Sequence, residues 1–178
     1  RGQDRKTART AICASNLKQY ASASIGYWSD FKEMIGAYNW RGGERYLEAD
    51  PDIQYASRDP EAAMNQAVHI LRRRADRVDI RRLTTRIPHR RYSHLIINDY
   101  LQQRLPEPTM ACPEDKVLLD WQLNPKKLDP EPLSGGGTTA SPEWKKFWAY
   151  SSSYQMVPVA WAQDESDSAG STVYQYPG

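Results

Sequence analysis

The sequence predicts an α+β fold, with a long N-terminal helix packed on a small antiparallel sheet, two additional helices and long loops. Three observations support this prediction. An uninterrupted amphipathic run opens the chain, a proline marks the start of a second helix, and the C-terminal part is rich in Val, Tyr and Trp. A chain of 178 residues is long enough to bury a core, so we treat 1–178 as a single domain.

The first predicted element is a helix over residues 5–29. This run contains no proline and many alanines, and alanine has the highest helix propensity. Partly apolar positions recur at spacings of three and four, which places them on one side of a helix. Such a helix is stabilised mainly by burying that side, so we expect it to pack against the sheet. The predicted packing face consists of Leu17, Tyr20, Ile25 and Trp28, continuing from Cys13.

Residues 30–108 are predicted to combine loops with two further helices. Asp59, Pro60 and Glu61 mark a helix start, since proline suits the first helical position and acidic side chains favour the positive end of the helix dipole. Three consecutive arginines follow near the other end, where cations are favoured. A third, shorter helix is predicted over Tyr92–Gln103, because prolines bracket it on both sides.

The remaining part, 109–178, is predicted to be mainly extended. Met110–Cys112 is interpreted as a short strand, and Lys116–Leu123 as either a second strand or a helical turn. Tyr154–Gln163 and Ser171–Gly178 are separated by a polar turn with a glycine, a pattern typical of a β-hairpin.

The charge pattern argues against a nucleic-acid partner. Lys and Arg number 24 and Asp and Glu 22, so the net charge of +2 produces no strong positive field. A basic stretch over residues 72–91 is interrupted by aspartates and has few aromatic residues for base stacking. We interpret this stretch as a solvated helix end with salt bridges.

We predict no catalytic residues, no metal site and no cofactor. The sequence lacks the Gly-x-Ser-x-Gly, His-Glu-x-x-His and Gly-x-Gly-x-x-Gly motifs, and no set of side chains has metal-ligand spacing. The histidines are interpreted as surface or hydrogen-bonded residues: His69, His89 and His94. A weak candidate for calcium is the acidic turn with Asp164, Glu165 and Asp167, although an ordinary solvated turn is the favoured interpretation.

Two short motifs carry a resemblance to a known family. The first consists of Ala8, Arg9, Cys13, Asn16, Leu17, Gln19, Tyr27 and Asp30, and the second is Cys112-Pro113-Glu114-Asp115. Together they resemble the segment after the membrane span, and a downstream motif, in one branch of type IV pilins and type II secretion pseudopilins. The apolar span and the Phe-Thr-Leu-Ile-Glu signature of these prepilin-type proteins are absent, so we expect this sequence to be a soluble portion of a longer protein.

The resemblance implies a non-enzymatic structural subunit of a bacterial pilus-like filament or type II secretion pseudopilus. Its partners would be other pilin-like subunits, contacted through the N-terminal helix. The implied location is extracytoplasmic, either periplasmic or at the cell surface. Membrane anchoring of the full-length precursor would depend on the upstream segment that this sequence lacks.

The resemblance also bears on the two cysteines, because exported proteins meet an oxidising compartment where disulfides persist. Cys13 lies on the predicted inward face of the first helix, and Cys112 opens a segment expected to pass near the sheet. Two interpretations stay open: a disulfide between Cys13 and Cys112, or two separate buried thiols.

Two alternative functions come from other classes. A carbohydrate- or surface-binding module would use exposed tryptophans as platforms, and the candidates are Trp40, Trp144, Trp148 and Trp161. A hydrolase with an unrecognised site would need paired carboxylates, for which Glu114, Asp115 and Asp120 are available.

Overall fold

The computed structural model describes residues 2–32, 36–82, 89–129 and 143–154. The described part is mostly helical. Its α-helices are α1 (Gly2–Asp30), α2 (Asp59–Ala75), α3 (His89–Tyr92) and α4 (Lys116–Leu123). Short 3₁₀ helices occupy Ser93–Leu95, Asn98–Tyr100, Pro108–Met110, Pro125–Leu128 and Glu143–Tyr150. We call the described residues from 36 onward the body, against which α1 packs.

The predicted α+β fold is wrong. Within the described ranges, β pairing is limited to one isolated antiparallel bridge between Arg45 and Tyr55, and there is no sheet on which α1 could pack. The predicted C-terminal hairpin, apart from Tyr154, lies outside the described residues. Helix α1 packs instead on the irregular turns and short 3₁₀ helices of the body.

The short strand predicted over Met110–Cys112 is absent, and the two alternatives for Lys116–Leu123 resolve to a helix. Pro108–Met110 forms a 3₁₀ helix, and Lys116–Leu123 adopts the helical alternative as α4. Local capping explains α4, because the Asp115 side chain accepts a hydrogen bond from the backbone N–H of Leu118. This bond satisfies one of the N–H groups that a helix start leaves without an intrahelical partner.

Helix α2 forms the centre of the core. It begins at Asp59, one residue before Pro60, which the sequence placed at the first helical position; it ends at Ala75, and Asp76 at its C-cap has a left-handed conformation with φ of 52°. Its buried residues are Ala62, Ala63, Met64, Asn65, Ala67, Val68, His69, Leu71 and Arg72. The small alanines allow neighbouring segments to approach closely, and aromatic side chains surround the helix: Tyr38, Trp40, Tyr92, Phe147 and Tyr150.

The predicted third helix is broken into shorter pieces. Helix α3 ends at Tyr92, and the chain continues through two separate 3₁₀ helices to Tyr100. Between Tyr92 and Asn98, every residue except Ile96 is buried. A regular amphipathic helix exposes one of its sides to solvent. This segment is enclosed by protein on nearly all sides, so its contacts with the surrounding chain determine its backbone conformation.

This enclosed segment connects α1 to the core. Tyr92 and Leu95 belong to the main cluster around α2, whereas Ile97 packs with Ala23 and Tyr27 of α1 in a second, smaller cluster. None of the helices in the described ranges is both long enough and apolar enough to cross a bilayer.

Candidate functional site

Helix α1 contacts the body through one row of side chains, which we call the contact stripe. Its members are Arg9, Cys13, Asn16, Tyr20, Ala23 and Tyr27. Their spacings alternate between four and three residues, so they share one side of the helix. Ala23 and Tyr27 are buried and the other four are partly buried. The contact is therefore narrow compared with the length of the helix.

At its N-terminal end the contact stripe meets the segment 111–114. The Arg9 guanidinium lies 2.6 Å from a Glu114 carboxylate oxygen, and the Asn16 amide donates to the carbonyl oxygen of Ala111 over 3.2 Å. Residue numbers rise along α1 while they fall along the partner segment, so the two run antiparallel. The two motifs that carried the family resemblance are thus in direct contact.

The two cysteines lie between these polar contacts. The Sγ atoms of Cys13 and Cys112 are 2.7 Å apart, and both residues are thiols in this structure. The hydrogen bond to Cys112 raises the pKa of the Cys13 thiol, and desolvation adds to this effect. Tyr154 closes this site, with its hydroxyl 3.3 Å from the Asn16 amide nitrogen. Desolvation is the main reason that the pKa of Tyr154 is raised to about 12.

The Cys-Pro-Glu-Asp segment is itself held rigidly. The backbone N–H of Cys112 donates to the Ser153 hydroxyl over 3.0 Å, and that hydroxyl donates to Asp115 over 2.8 Å. Because Asp115 also caps α4, the position of Cys112 is tied to that helix and to the chain at residue 153. Helix α1 therefore meets a preorganised surface.

The C-terminal end of the contact stripe is aromatic. The Tyr20 hydroxyl lies 2.9 Å from that of Ser93, and the rings of Tyr27 and Tyr100 meet edge-to-face with centroids 5.9 Å apart. The Tyr100 hydroxyl donates to a carboxylate oxygen of Asp30 over 2.7 Å. This bond is the main reason that the pKa of Tyr100 is raised to about 12. Together these contacts fix the end of α1.

Gly26 permits the close approach of α1 to the body at this end. A Cβ at this position would lie 2.9 Å from Cδ1 of Tyr100, which is closer than ordinary van der Waals contact. A larger residue would displace the ring from Tyr27.

The predicted packing face is wrong for three of its four residues. Leu17, Ile25 and Trp28 are 47%, 61% and 44% exposed, whereas Tyr20 lies in the contact stripe. The observed stripe uses Asn16 and Tyr27 where the prediction used the next residue, and Ala23 where the prediction used Ile25, two residues later. One residue is a rotation of about 100° around the helix. Apolar residues occur on several sides of α1, so spacing alone did not identify the buried side.

A second row of apolar residues on α1 therefore points away from the body. We call it the outer face, and it consists of Ala14, Leu17, Ala21, Ile25 and Trp28, all of them exposed. Over these 15 residues it extends for about 21 Å at the usual helical rise. Single exposed apolar side chains are common on soluble proteins, but a continuous row along one helix is typical of an interaction surface.

The tryptophans considered as binding platforms do not form an exposed row in the described part. Trp40 is 6% exposed and stacks on Tyr46 with centroids 4.2 Å apart. Trp148 is partly buried and stacks on Trp121 at 5.3 Å. The side chain of Trp144 and all of Trp161 lie outside the described residues.

The candidate hydrolase carboxylates are engaged in structural contacts. Glu114 pairs with Arg9, Asp115 caps α4, and Asp120 lies 2.6 Å from the Lys127 ammonium. Among the described residues, no group of three or more His, Cys, Asp or Glu side chains is arranged to hold a metal ion. The acidic turn considered for calcium lies outside the described ranges.

The arginine-rich stretch, predicted to be a solvated helix end with salt bridges, contains two arginines that are buried in ion-pair networks. Arg72 is 9% exposed and binds Asp50 and Asp52, and its hydrogen bonds lower the pKa of the Asp52 carboxyl. Arg77 is 4% exposed and binds Asp79 and Asp129. Asp79, which lies within the arginine run, was the one local signal, since buried arginines need carboxylate partners; the other three partners are distant in sequence.

A cavity of about 700 Å³ adjoins the second network. Its lining includes Arg77, Tyr150, Leu105, Leu123 and Lys126. The Arg77 guanidinium is already bound by two carboxylates, so it is not available to an anionic ligand.

Comparison of the chain with protein-family models, with curated proteins and with solved structures finds no match. The functional argument therefore depends on the geometry of α1 and on the two motifs.

Proposed function

We propose that this chain is a non-enzymatic structural subunit that assembles with other pilin-like subunits through α1. The assembly would be a bacterial pilus-like filament or type II secretion pseudopilus, located outside the cytoplasm. The observation that carries the proposal is the outer face, which leaves an apolar row exposed on a helix that is fixed to the body along a different side.

The contact stripe supports this role because it fixes the orientation of the outer face. Hydrogen bonds and one ion pair at one end and aromatic contacts at the other prevent α1 from rotating to bury Leu17, Ile25 and Trp28. A surface held in this way is preorganised for a partner, which lowers the entropic cost of association.

The resembling motifs support the proposal in a second way. Arg9, Cys13 and Asn16 contact the Cys-Pro-Glu-Asp segment, so both motifs serve one task, the joining of a long helix to a body. The alternatives gain no comparable observation: Trp40 is buried, and the carboxylates considered for hydrolysis have structural partners.

The proposal is tested by photo-crosslinking in cells that produce the protein. A photoreactive phenylalanine derivative replaces Ile25 on the outer face, or Val78 on the body, which is 77% exposed and serves as the matched control. We expect crosslinks between copies of the chain, or to another pilin-like subunit, from position 25 at several times the yield from position 78. Equal yields from the two positions would overturn the proposal.

A charge substitution provides the complementary test. Leu17→Glu places a carboxylate on the outer face, and Leu47→Glu places one at a site of the body that is 73% exposed. Both variants are expected to fold, since neither changes a buried residue. We expect Leu17→Glu to reduce the assembled fraction recovered by shearing and sedimentation at least tenfold, and Leu47→Glu to leave it unchanged. Normal assembly of the Leu17→Glu variant would contradict the role of this face.

A further inference from the structure

The two cysteines are brought together by the folded chain from distant positions in the sequence. They are 99 residues apart, yet their Sγ atoms are separated by 2.7 Å at the centre of the contact stripe. A disulfide requires sulfur atoms about 2.05 Å apart, so a small side-chain movement is enough. We propose that Cys13 and Cys112 form an intramolecular disulfide that fastens α1 to the body.

The surroundings keep the two sulfur atoms in register. The Arg9–Glu114 ion pair lies on one side of them and the Asn16–Ala111 hydrogen bond on the other. The backbone of Cys112 is fixed by its hydrogen bond to Ser153. A shift of α1 by one helical turn relative to the body would break all of these contacts at once. The folded chain therefore places Cys13 next to Cys112.

Metal binding does not account for this pairing. A structural metal site requires about four ligands, and the described residues supply no third His, Cys, Asp or Glu arranged with the two thiols. The alternative of two separate buried thiols does not fit the structure either, since the two sulfur atoms are in direct contact.

The oxidation step is an ordinary thiol–disulfide exchange. A thiolate of the pair attacks a small-molecule or protein disulfide, and the second cysteine then displaces that partner from the mixed disulfide. Each cysteine loses one hydrogen, and the two electrons and two protons leave on the oxidant, which becomes two thiols. The S–S bond between Cys13 and Cys112 is the one bond that the protein gains.

The disulfide would hold the N-terminal half of α1 to the body, where apolar burial does not. Of the described α1 side chains, Ala23 and Tyr27 are buried, and both lie near the C-terminal end of the helix. Cys13 is more than two turns closer to the N-terminus, where contacts with the body are polar. The disulfide also closes a loop that includes all of α2 and so restricts the unfolded chain. The inference does not depend on the assembly role proposed above.

The test uses the chain with oxidised glutathione as the oxidant at mildly alkaline pH. After incubation the protein is denatured, alkylated with N-ethylmaleimide and weighed by mass spectrometry. We expect a monomer lighter by about 2 Da with no alkylation, and two alkylations after prior reduction. The Cys13→Ser and Cys112→Ser variants, as matched controls, should each carry one cysteine as a mixed disulfide with glutathione or as an alkylated thiol, and neither should yield the monomer lighter by about 2 Da. Two alkylated thiols in the oxidised wild type would overturn the inference.

A stability measurement shows whether the bond fastens the fold. Addition of a phosphine reductant is expected to lower the thermal midpoint of the oxidised wild type by roughly 10 °C, the scale for a loop of this length. The double variant Cys13→Ser, Cys112→Ser should show no response to reductant, which separates the bond from the side chains. An equal midpoint of the wild type with and without reductant would refute the fastening role.

Discussion

Helices α1 and α2 are held in the structure by different means. Helix α2 has 17 residues, of which nine are buried, and it lies at the centre of the main apolar cluster. Helix α1 has 29 residues, and among its described side chains Ala23 and Tyr27 are buried. Apolar burial therefore dominates the energetics of α2, whereas α1 depends on hydrogen bonds, an ion pair, aromatic contacts and the paired cysteines.

This difference determines which helix has an apolar surface left for a partner protein. Most apolar side chains of α2 are buried in its own protein, which leaves no apolar row for a partner. Helix α1 uses one stripe for its own protein and keeps an apolar outer face exposed. Intramolecular hydrogen bonds contribute about 0.5–1.5 kcal/mol each, so a few of them hold α1 without covering its remaining surface. The following predictions test this contrast.

The largest effect is expected for Leu71→Ala in α2. Leu71 is 0% exposed and lies in the main cluster, so truncation leaves a cavity. We expect a loss of about 2–5 kcal/mol in the free energy of unfolding, measured by denaturant titration. A loss below about 1 kcal/mol would mean that α2 is not the energetic centre of the body.

A pH effect of similar size is expected from His94, which is 1% exposed. Desolvation is the main reason that its pKa is lowered to about 3 in the folded state. In the unfolded chain its pKa is about 6.5, so between these values the unfolded state binds the proton and the folded state does not. Stability conferred by neutral His94 is complete above pH 6.5 and falls as the pH decreases toward 3, by about 2–3 kcal/mol at pH 4.5.

The matched control for this prediction is His94→Gln, which cannot be protonated. The titrations of the carboxylates remain in both proteins, so the quantity to compare is the difference between their stability curves over pH 4.5–7. Parallel curves for the wild type and His94→Gln would show that His94 does not contribute.

A smaller and local effect is expected for Tyr27→Ala. This substitution removes the contact with Tyr100 and one of the two buried side chains of α1. We expect amide hydrogen exchange in α1 to become about tenfold faster or more, with exchange in α2 unchanged, because α1 opens as a separate unit. Trp28→Ala, at the next position but on the outer face, should leave both rates unchanged. Equal acceleration in α1 and α2 after Tyr27→Ala would remove the distinction between the two helices.

The smallest effect is expected for Leu17→Ala. Leu17 is 47% exposed on the outer face, so the free energy of unfolding of the isolated chain should change by less than about 0.5 kcal/mol. A loss of 2 kcal/mol or more would indicate that the outer face is covered in the isolated chain.

Local signals in the sequence were sufficient to predict several elements. The absence of proline and the many alanines predicted a long helix near the start of the chain, and the structure has α1 there. The Asp-Pro-Glu signal located the start of α2 to within one residue, because a proline at a helix start depends only on its own backbone geometry. The helical alternative for Lys116–Leu123 also has a local cause, the cap by Asp115. The predicted sheet is absent from the described ranges, where the segments that meet α1, such as Pro108–Met110, form 3₁₀ helices.

The side of α1 that faces the body was decided by tertiary structure. Spacing favoured Leu17 and Trp28, but the body presents a carbonyl at Ala111 and aromatic rings near Tyr100, which match Asn16 and Tyr27. Apolar residues occur on more than one side of this helix, so its own pattern allowed either rotation. The sequence by itself determined that α1 is a helix, through backbone propensity. The partner groups that accept or exclude each side chain determined which row became the contact stripe and which stayed exposed as the outer face.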